Sequence, residues 1–144
     1  MKTFGFFDPL KDYKKRAAVY GVFCNEHKNQ VAIVRNEKNH FFLPGGGIEG
    51  NETFEQCLKR EVVEETGFSM EIVYFIGSAQ FYFYSENEQV HYQNMGHFYL
   101  CKFHKQLCLP TESNHFLEWV SPLQANEHLV FDHHVWALQQ VLKI

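Results

Sequence analysis

Apolar residues recur along this chain in short runs that are separated by polar or glycine-containing turns. Runs rich in β-branched, aromatic and other apolar residues predict strands at 16–24, 30–35, 40–43, 70–78, 80–84, 97–103 and 117–121. The polar residues 25–29 predict a hairpin loop, and residues 85–88 predict a turn. The pattern therefore indicates a protein built mainly from short strands.

A helix interrupts this pattern at residues 54–66. Its apolar residues fall on one stripe at about 100° per residue: Phe54, Cys57, Leu58 and Val62. Thr53 and Gln56 have the spacing of a capping box, which begins a helix, and Gly67 suits the left-handed residue that ends one. The stripe predicts that this helix packs on a sheet.

A second helix is predicted at residues 131–144, with apolar residues on one face at Val135, Leu138, Val141 and Leu142. Strands with a helix on either side indicate an α/β fold of three layers. No linker, repeat or low-complexity segment divides the 144 residues. We therefore expect a single domain over residues 1–144.

Composition narrows the possible functions. The formal net charge of −4 disfavours binding of long nucleic acid, because that function needs a basic surface. The same charge is compatible with binding of a small nucleotide together with its metal ion. The longest apolar run, residues 17–24, is too short to span a membrane, and residues 1–16 lack the apolar segment of a signal peptide. The four cysteines form no CxxC pair, which predicts reduced thiols. We therefore expect a cytoplasmic protein.

Acidic residues near the end of the first helix point to metal chemistry. Glu64 and Glu65 follow Glu61 by three and four positions, so the three carboxylates converge on the inward side. Each like-charge pair costs about 0.2–0.5 kcal/mol even on an exposed helix. A hard cation such as Mg²⁺ or Mn²⁺ prefers oxygen ligands and offsets this repulsion. The neighbouring Arg60 can hold one carboxylate in a bidentate pair.

The segment from Gly46 to Phe68 spaces its residues as G-x5-E-x7-R-E-V-x-E-E-x-G-F. This pattern resembles the Nudix box. A chance match in a chain of this length has a probability of roughly 10⁻⁷ to 10⁻⁸ at ordinary residue frequencies. Phe68 stands where the strict pattern has an aliphatic residue, but it is still bulky and apolar. The preceding run Phe42-Leu43-Pro44-Gly45-Gly46 and the order of elements resemble MutT-like members.

The resemblance implies the Nudix fold, an α/β/α sandwich with a mixed β-sheet between the box helix and the C-terminal helix. It also implies hydrolysis of the diphosphate bond in a nucleoside diphosphate that is linked to a further group. The implied cofactor is Mg²⁺ or Mn²⁺, and the implied partner is a small nucleotide bound by a monomer or a homodimer.

The resemblance also implies roles for residues of the box. Glu64 and Glu65 are implied metal ligands, and Glu61 is either a ligand or the base that activates water. Arg60 is the implied orienting partner of these carboxylates. Glu52 is implied to act as an outer-shell or second-metal residue.

Further candidates flank the box. The carbonyl of Gly45 is a candidate metal ligand, and Gly46 lets the backbone approach a substrate closely. Glu112, in the run Thr111-Glu112-Ser113-Asn114, lies where MutT-like members bring in an extra metal-binding glutamate. Glu118 is the other candidate for this metal-binding role. The alternative for either residue is a surface charge with no role in the site.

The sequence gives fewer indications of which residues contact the substrate. Asp132 stands where MutT-like members read a purine edge, and its alternative role is the N-cap of the terminal helix. Arg35 ends a strand, where it is either a phosphate or base contact or simply solvated. Phe81 and Phe83 share one face of a strand and serve either as core or as a base-stacking wall. The histidines are predicted to be structural, since His133-His134 lacks a partner at metal-ligand spacing.

The compact chain and the MutT-like order predict nucleoside triphosphates, oxidised ones included, as substrates that yield a monophosphate and pyrophosphate. The alternative enzymes cleave ADP-ribose, nucleotide sugars, dinucleoside polyphosphates or 5′-triphosphate RNA. A non-catalytic ligand sensor of the same fold is the remaining alternative, and the intact set of box glutamates disfavours it.

Overall fold

The computed structural model describes residues 1–142. These residues form eight strands and three helices: β1 Lys2–Gly5, β2 Tyr13–Phe23, β3 Val31–Asn36, β4 Phe41–Phe42, β5 Gly45–Gly47, α1 Phe54–Thr66, β6 Phe68–Ser85, β7 Val90–Gln106, β8 His115–Val120, α2 Pro122–His128 and α3 Asp132–Val141. The predicted terminal helix is therefore present as α3, and the last two positions of its predicted range lie outside the described residues.

The strands form two sheets. The larger one has the order β1-β6-β7-β2-β5 and is mixed, because β1 runs parallel to β6 and β2 parallel to β7 while the other neighbours are antiparallel. The smaller sheet has the order β4-β3-β8 and is antiparallel. Helix α1 contacts β5 and β6, and α3 packs on β6 and β1. The predicted α/β sandwich is confirmed, with a second small sheet that the sequence did not predict.

Alternating residues of β2 build two apolar clusters. Ala18, Tyr20 and Val22 join the cluster that also contains Leu138 of α3, and Val19 lies in the cluster beneath α1. Successive strand residues point to opposite faces, so a continuous apolar run buries both faces of this strand. The large sheet is thereby covered on one side by α1 and on the other by α3.

Helix α1 begins and ends where the sequence predicts. The side chain of Thr53 accepts from the backbone N–H of Gln56, and the Gln56 side chain accepts from the backbone N–H of Thr53, which completes the capping box. At the other end, Gly67 has φ 78° and its N–H donates to the Val63 carbonyl. Both signals are local, which explains their accuracy.

Several elements differ from the predictions. The segments predicted as 70–78 and 80–84 form one long strand, β6, whose register with β7 shifts at several points. Residues 45–47, which lie outside the predicted strands, pair with β2 as strand β5. The prediction of two helices was wrong, because the short helix α2 follows Ser121, which forms a capping box with Gln124, and Pro122 occupies its first turn.

Among residues 1–142, no helix combines the length and apolar character that crossing a bilayer requires.

The end of α1 supplies the first testable prediction. A Cβ on Gly67 would lie 2.1 Å from the Cys108 carbonyl oxygen, whereas a Cβ on Gly50 would meet nothing within 4 Å. Both glycines have positive φ, so Gly67→Ala and Gly50→Ala share the left-handed penalty. Gly67→Ala should lower the free energy of unfolding by about 1–3 kcal/mol more than Gly50→Ala, the usual cost of overpacking. Urea denaturation of both variants measures this difference, and equal losses would contradict the tight packing described.

Candidate active site

The glycine strand β5 lies directly against the acidic end of α1. A Cβ on Gly46 would lie 2.6 Å from the carboxyl carbon of Glu61, so only glycine lets the strand approach this closely. The N–H of Gly45 donates to Glu65 Oε1 at 2.8 Å. The backbone of β5 and the carboxylates of α1 therefore form one continuous surface.

Arg60 organises the carboxylates through all five of its N–H donors. Its Nε and Nη2 bind the two oxygens of Glu52 at 2.6 and 2.9 Å, which is a bidentate pair. Its Nη1 donates to Glu61 Oε1 at 2.9 Å and to Glu64 Oε2 at 3.2 Å, and Nη2 also reaches the Gly47 carbonyl at 3.0 Å. The orienting contacts expected of Arg60 are present in the structure.

Glu52 is locked to Arg60 as an anion. Hydrogen bonds from the Arg60 side chain and from the Glu49 backbone N–H lower the pKa of Glu52 to about 2. The side chain of Glu52 therefore stays ionised at neutral pH and fixes the guanidinium. Both carboxylate oxygens of Glu52 accept hydrogen bonds from Arg60. Its role as an outer-shell or second-metal residue stays a prediction.

Glu65 is the most buried of the three helix carboxylates, with 5% of the residue exposed. The sequence predicted that the three carboxylates converge on the inward side, and the structure buries Glu65 furthest. Burial raises the pKa of Glu65 to about 7, opposed by His115 and by the Gly45 N–H. Burial also raises the pKa of Glu61, opposed by the hydrogen bond from Arg60.

The segment between β7 and β8 docks on the C-terminal end of α1. The backbone N–H groups of Thr111 and Glu112 both donate to the Glu64 carbonyl, at 3.0 and 3.1 Å. A carbonyl in the last turn of a helix lacks an intrahelical partner, so this docking satisfies it. It also brings Glu112 into a group with Glu61 and Glu64 whose ligand oxygens all lie within 4.8 Å of one another.

Glu118, the rival of Glu112, lies elsewhere. Its Oε2 accepts from Arg35 Nε at 3.2 Å across β3 and β8. Arg35 also donates to Asn39, and its guanidinium carbon stands 4.7 Å from the centre of the Phe116 ring. Arg35 is therefore engaged by three neighbours on the small sheet and its β3–β4 turn, and the structure does not bring it to the carboxylates of α1.

The sequence did not predict that His115 lies beside the carboxylates of Glu65 and Glu112. Its Nδ1 contacts the carboxylate of Glu112 and lies 3.5 Å from Glu65 Oε2. The two glutamates raise the pKa of His115, with Glu65 as the larger cause. The spacing Glu112-x-x-His115 immediately before β8 is the signal that could have revealed this contact.

The start of α3 corrects one prediction. Asp132 is the first residue of the helix and is exposed, while the N-cap is Phe131, which makes no side-chain capping hydrogen bond. The N-cap role of Asp132 is therefore wrong. The ring of Phe131, at the cap position, packs against Phe42 and Phe83, at centroid distances of 5.5 Å for both.

Aromatic residues line the large sheet near this helix start. Phe81 and Phe83 contact each other at 5.7 Å, and Phe81 lies 6.0 Å from Phe131. Both strand residues are only partly buried. They therefore form an aromatic wall, defined here as Phe81, Phe83 and Phe131.

Two buried histidines lie at the start of α3, and one of them supports the segment before the glycine strand. His134 Nδ1 accepts from the Leu43 N–H at 3.1 Å, two residues before β5. Burial lowers the pKa of His133 to about 4 and holds the pKa of His134 well below its usual value. Both rings are therefore neutral near pH 7.

Comparison with known proteins identifies the family of this chain. A family model described as the NUDIX domain matches residues 14–140. The chain is 40% identical over 65 residues to a Proteus vulgaris protein named 8-oxo-dGTP diphosphatase, covering 42% of this chain and 58% of that protein. It is 38% identical over 75 residues to a Blochmanniella pennsylvanica protein named RNA pyrophosphohydrolase, covering 51% and 47%. The matched stretch spans about half the length of these curated relatives.

The fold is also similar to solved structures. A MutT protein from Bacillus halodurans superimposes with a TM-score of 0.70 at 21% identity, over 90% of this chain and 83% of that one. At this identity, the likeness supports the fold alone.

The Arg60 network generates the second prediction. Arg60→Lys keeps the charge but loses the planar fork that binds Glu52, Glu61 and Glu64 together. Affinity for Mn²⁺ should fall by roughly 10- to 100-fold, the usual effect of removing a partner that orients ligands. Calorimetric titration of Mn²⁺ measures this, and the control is Lys59→Arg, an exposed neighbour on the same helix. Unchanged Mn²⁺ affinity in Arg60→Lys would refute the orienting role.

Proposed function

Because this chain belongs to the NUDIX domain family, we propose that it hydrolyses a diphosphate bond in a small nucleotide, with nucleoside triphosphates as preferred substrates. The products are a nucleoside monophosphate and pyrophosphate. The observation that carries the proposal is the group formed by Glu61, Glu64 and Glu112 beside the glycine strand.

The donor chemistry of this group fits Mg²⁺ or Mn²⁺. Its three carboxylates supply oxygen atoms within 4.8 Å of one another, and oxygen sets of this kind are what hard divalent cations prefer. Arg60 contributes one positive charge to two of these carboxylates, so negative charge remains to be neutralised. When bound, such a cation neutralises phosphate oxygens and lowers the pKa of a water molecule.

Glu61 is our first candidate for the base that accepts the proton of the attacking water. Burial raises its pKa, and a carboxylate with a raised pKa accepts a proton more readily near neutral pH. Arg60 Nη1 holds Glu61 Oε1, which leaves Oε2 without a bond from this guanidinium. Glu112 is the alternative base, because it belongs to the same group and comes from a later loop.

The backbone of β5 gives the phosphates access to these side chains. Gly46 presents no side chain between solvent and Glu61, and the carbonyl of Gly45 remains a candidate ligand. Arg16 Nε lies 3.8 Å from where a Cβ of Gly47 would stand, so a guanidinium side chain borders the strand. We assign Arg16 to the phosphates in preference to Arg35, which is engaged with Glu118 and Asn39.

The aromatic wall is our candidate surface for the base. A partly buried aromatic face stacks on a nucleobase at about 1–3 kcal/mol per base. The wall is connected to the glycine strand because Phe131 packs on Phe42, three residues before Gly45. Asp132, exposed beside Phe131, remains the candidate that reads a base edge by hydrogen bonds.

The names of the relatives support two substrate classes. One relative is named for 8-oxo-dGTP, which favours oxidised nucleoside triphosphates among the small substrates. The other is named for RNA, which makes 5′-triphosphate RNA the second candidate. The net charge of −4 favours the small nucleotide, because binding to a longer phosphate backbone relies on lysine and arginine.

A hydrolysis screen with product identification tests the proposal. Its arms are ordinary and oxidised nucleoside triphosphates, ADP-ribose, nucleotide sugars, dinucleoside polyphosphates and 5′-triphosphate RNA. Preferred cleavage of a nucleoside triphosphate to monophosphate and pyrophosphate supports our choice. Exclusive cleavage of another arm reassigns the substrate, and binding without turnover in every arm indicates a ligand sensor.

The third prediction is dependence on a divalent cation. Because the carboxylates lack enough positive partners, EDTA should abolish hydrolysis and Mg²⁺ or Mn²⁺ should restore it. The cation should also raise the melting temperature, since a ligand at a hundredfold excess over its Kd stabilises the folded state by about 2.7 kcal/mol. Full turnover in EDTA would exclude this mechanism.

The fourth prediction concerns Glu64. Glu64→Gln keeps the size of the side chain but removes a charged oxygen, so turnover should fall at least about a hundredfold while the protein still folds. The matched control is Glu55→Gln, which changes an exposed acid in the first turn of the same helix. Near-normal turnover in Glu64→Gln, measured beside the control, would show that Glu64 is not a ligand.

A further inference from the structure

We propose that Asn94 of β7 reads the polar edge of the nucleobase and so determines which base this chain prefers. The inference rests on the proposed nucleotide site and deepens it, because it names the residue that selects among bases. The chemistry is that of a side-chain amide, which accepts hydrogen bonds at Oδ1 and donates them from Nδ2.

The amide of Asn94 is buried with an acceptor that no neighbour satisfies. The residue is 8% exposed, and its Oδ1 is shielded from solvent and makes no hydrogen bond to any group within residues 1–142. Buried polar atoms are nearly always paired, because an unpaired one loses its bonds to water without replacement. An apolar side chain at this position would avoid that cost. The amide is therefore available to a ligand that brings an N–H donor.

The strand register places Asn94 in the middle of a row of three side chains. Phe81 of β6 pairs with Asn94 on one side, and Arg16 of β2 pairs with it on the other. Directly paired residues project from the same face of a sheet. Neighbouring strands lie about 4.8 Å apart, so the row spans roughly 10 Å. It joins a ring of the aromatic wall to the guanidinium that we assign to the phosphates.

The face that carries this row is the one that α3 covers. Phe98, on the same strand as Asn94 and at an even spacing from it, belongs to the apolar cluster that contains Leu138 of α3. A Cβ on Gly96 would lie 2.9 Å from Cδ2 of His133, so the start of α3 closes over the strand at Gly96. Asn94 is the next position on this face towards the aromatic wall.

Burial makes Asn94 a stronger selector than Asp132, which is exposed. Water replaces a base that fails to pair with an exposed carboxylate. A base that fails to pair with a buried amide leaves the amide unsatisfied, so a site of this kind rejects analogues that lack the matching group. The aromatic wall stacks on any base, since every base has a π-face. Stacking therefore supplies affinity, and the amide of Asn94 supplies the choice of base.

Nuclear magnetic resonance of the ¹⁵N-labelled full chain, titrated with nucleoside monophosphates, tests the contact. The probes are AMP, GMP, 8-oxo-GMP, CMP and UMP, which carry no diphosphate bond to hydrolyse. The side-chain amide resonances of Asn94, assigned by their loss in Asn94→Leu, should shift when the preferred monophosphate binds. Absence of a shift with every probe would overturn the proposal.

Dissociation constants from the same titrations test the selection. The wild type should bind its preferred base at least about tenfold more tightly than its weakest, the scale of one well-placed contact to a base edge, and Asn94→Leu should bind all probes to within about threefold. Asn94→Ala serves if the leucine variant does not fold. The control is Gln93→Leu, because Gln93 donates to Gln80 Oε1 at 2.8 Å on the opposite face, and it should keep the wild-type order of affinities.

Thermal melting separates a ligand contact from a structural role. Because Asn94→Leu removes an unpaired acceptor, its Tm should equal or exceed that of the wild type, whereas Gln93→Leu loses a formed hydrogen bond and should melt lower. An unchanged order of affinities in the Asn94 variants would overturn the proposal, and so would a lower Tm for Asn94→Leu than for Gln93→Leu. Because the probes are not cleaved, the result stands whether or not the screen detects hydrolysis.

Discussion

The arrangement of the site depends on the guanidinium of Arg60, whose five N–H donors are all engaged in hydrogen bonds. Arg60 holds Glu52 with two bonds, Glu61 and Glu64 with one each, and the Gly47 carbonyl with the fifth. Without it, acidic side chains of one helix would repel one another and adopt many rotamers. With it, their oxygens face one direction. The contact with Gly47 also joins helix α1 to β5.

The second constraint is the docking of a loop on the end of α1. Gly67 turns the chain out of the helix, and its carbonyl accepts from the N–H groups of Leu107 and Cys108. The Glu64 carbonyl then accepts from Thr111 and Glu112. These bonds explain how a glutamate almost fifty positions beyond the helix reaches the helix carboxylates. A local feature, the helix terminus, thus sets a long-range contact.

The sequence predicted well the features that depend on interactions between residues close together in the chain. The ends of α1 followed from the capping box and from Gly67, and the inward convergence of its acids followed from helical spacing. The choice between Glu112 and Glu118 did not follow, because it depends on strand pairing that places Glu118 beside Arg35. The N-cap role of Asp132 was wrong because Phe131, which packs on Phe42, occupies the cap position and Asp132 is already the first helical residue. His115 was missed because its partners belong to other elements.

The buried pair His133-His134 links the integrity of the fold to the acidity of its surroundings. His134 Nδ1 accepts from the Leu43 N–H, so its ring proton resides on Nε2, and protonation of Nδ1 would remove the acceptor. Burial keeps the pKa of both rings below the ordinary value near 6.5, with His133 at about 4. The unfolded chain therefore binds more protons than the folded one as pH falls below about 6.5, and stability declines with it. The loss of stability therefore begins below about pH 6.5, where the unfolded histidines take up protons, while the folded rings stay neutral and the hydrogen bond between His134 and Leu43 persists to lower pH.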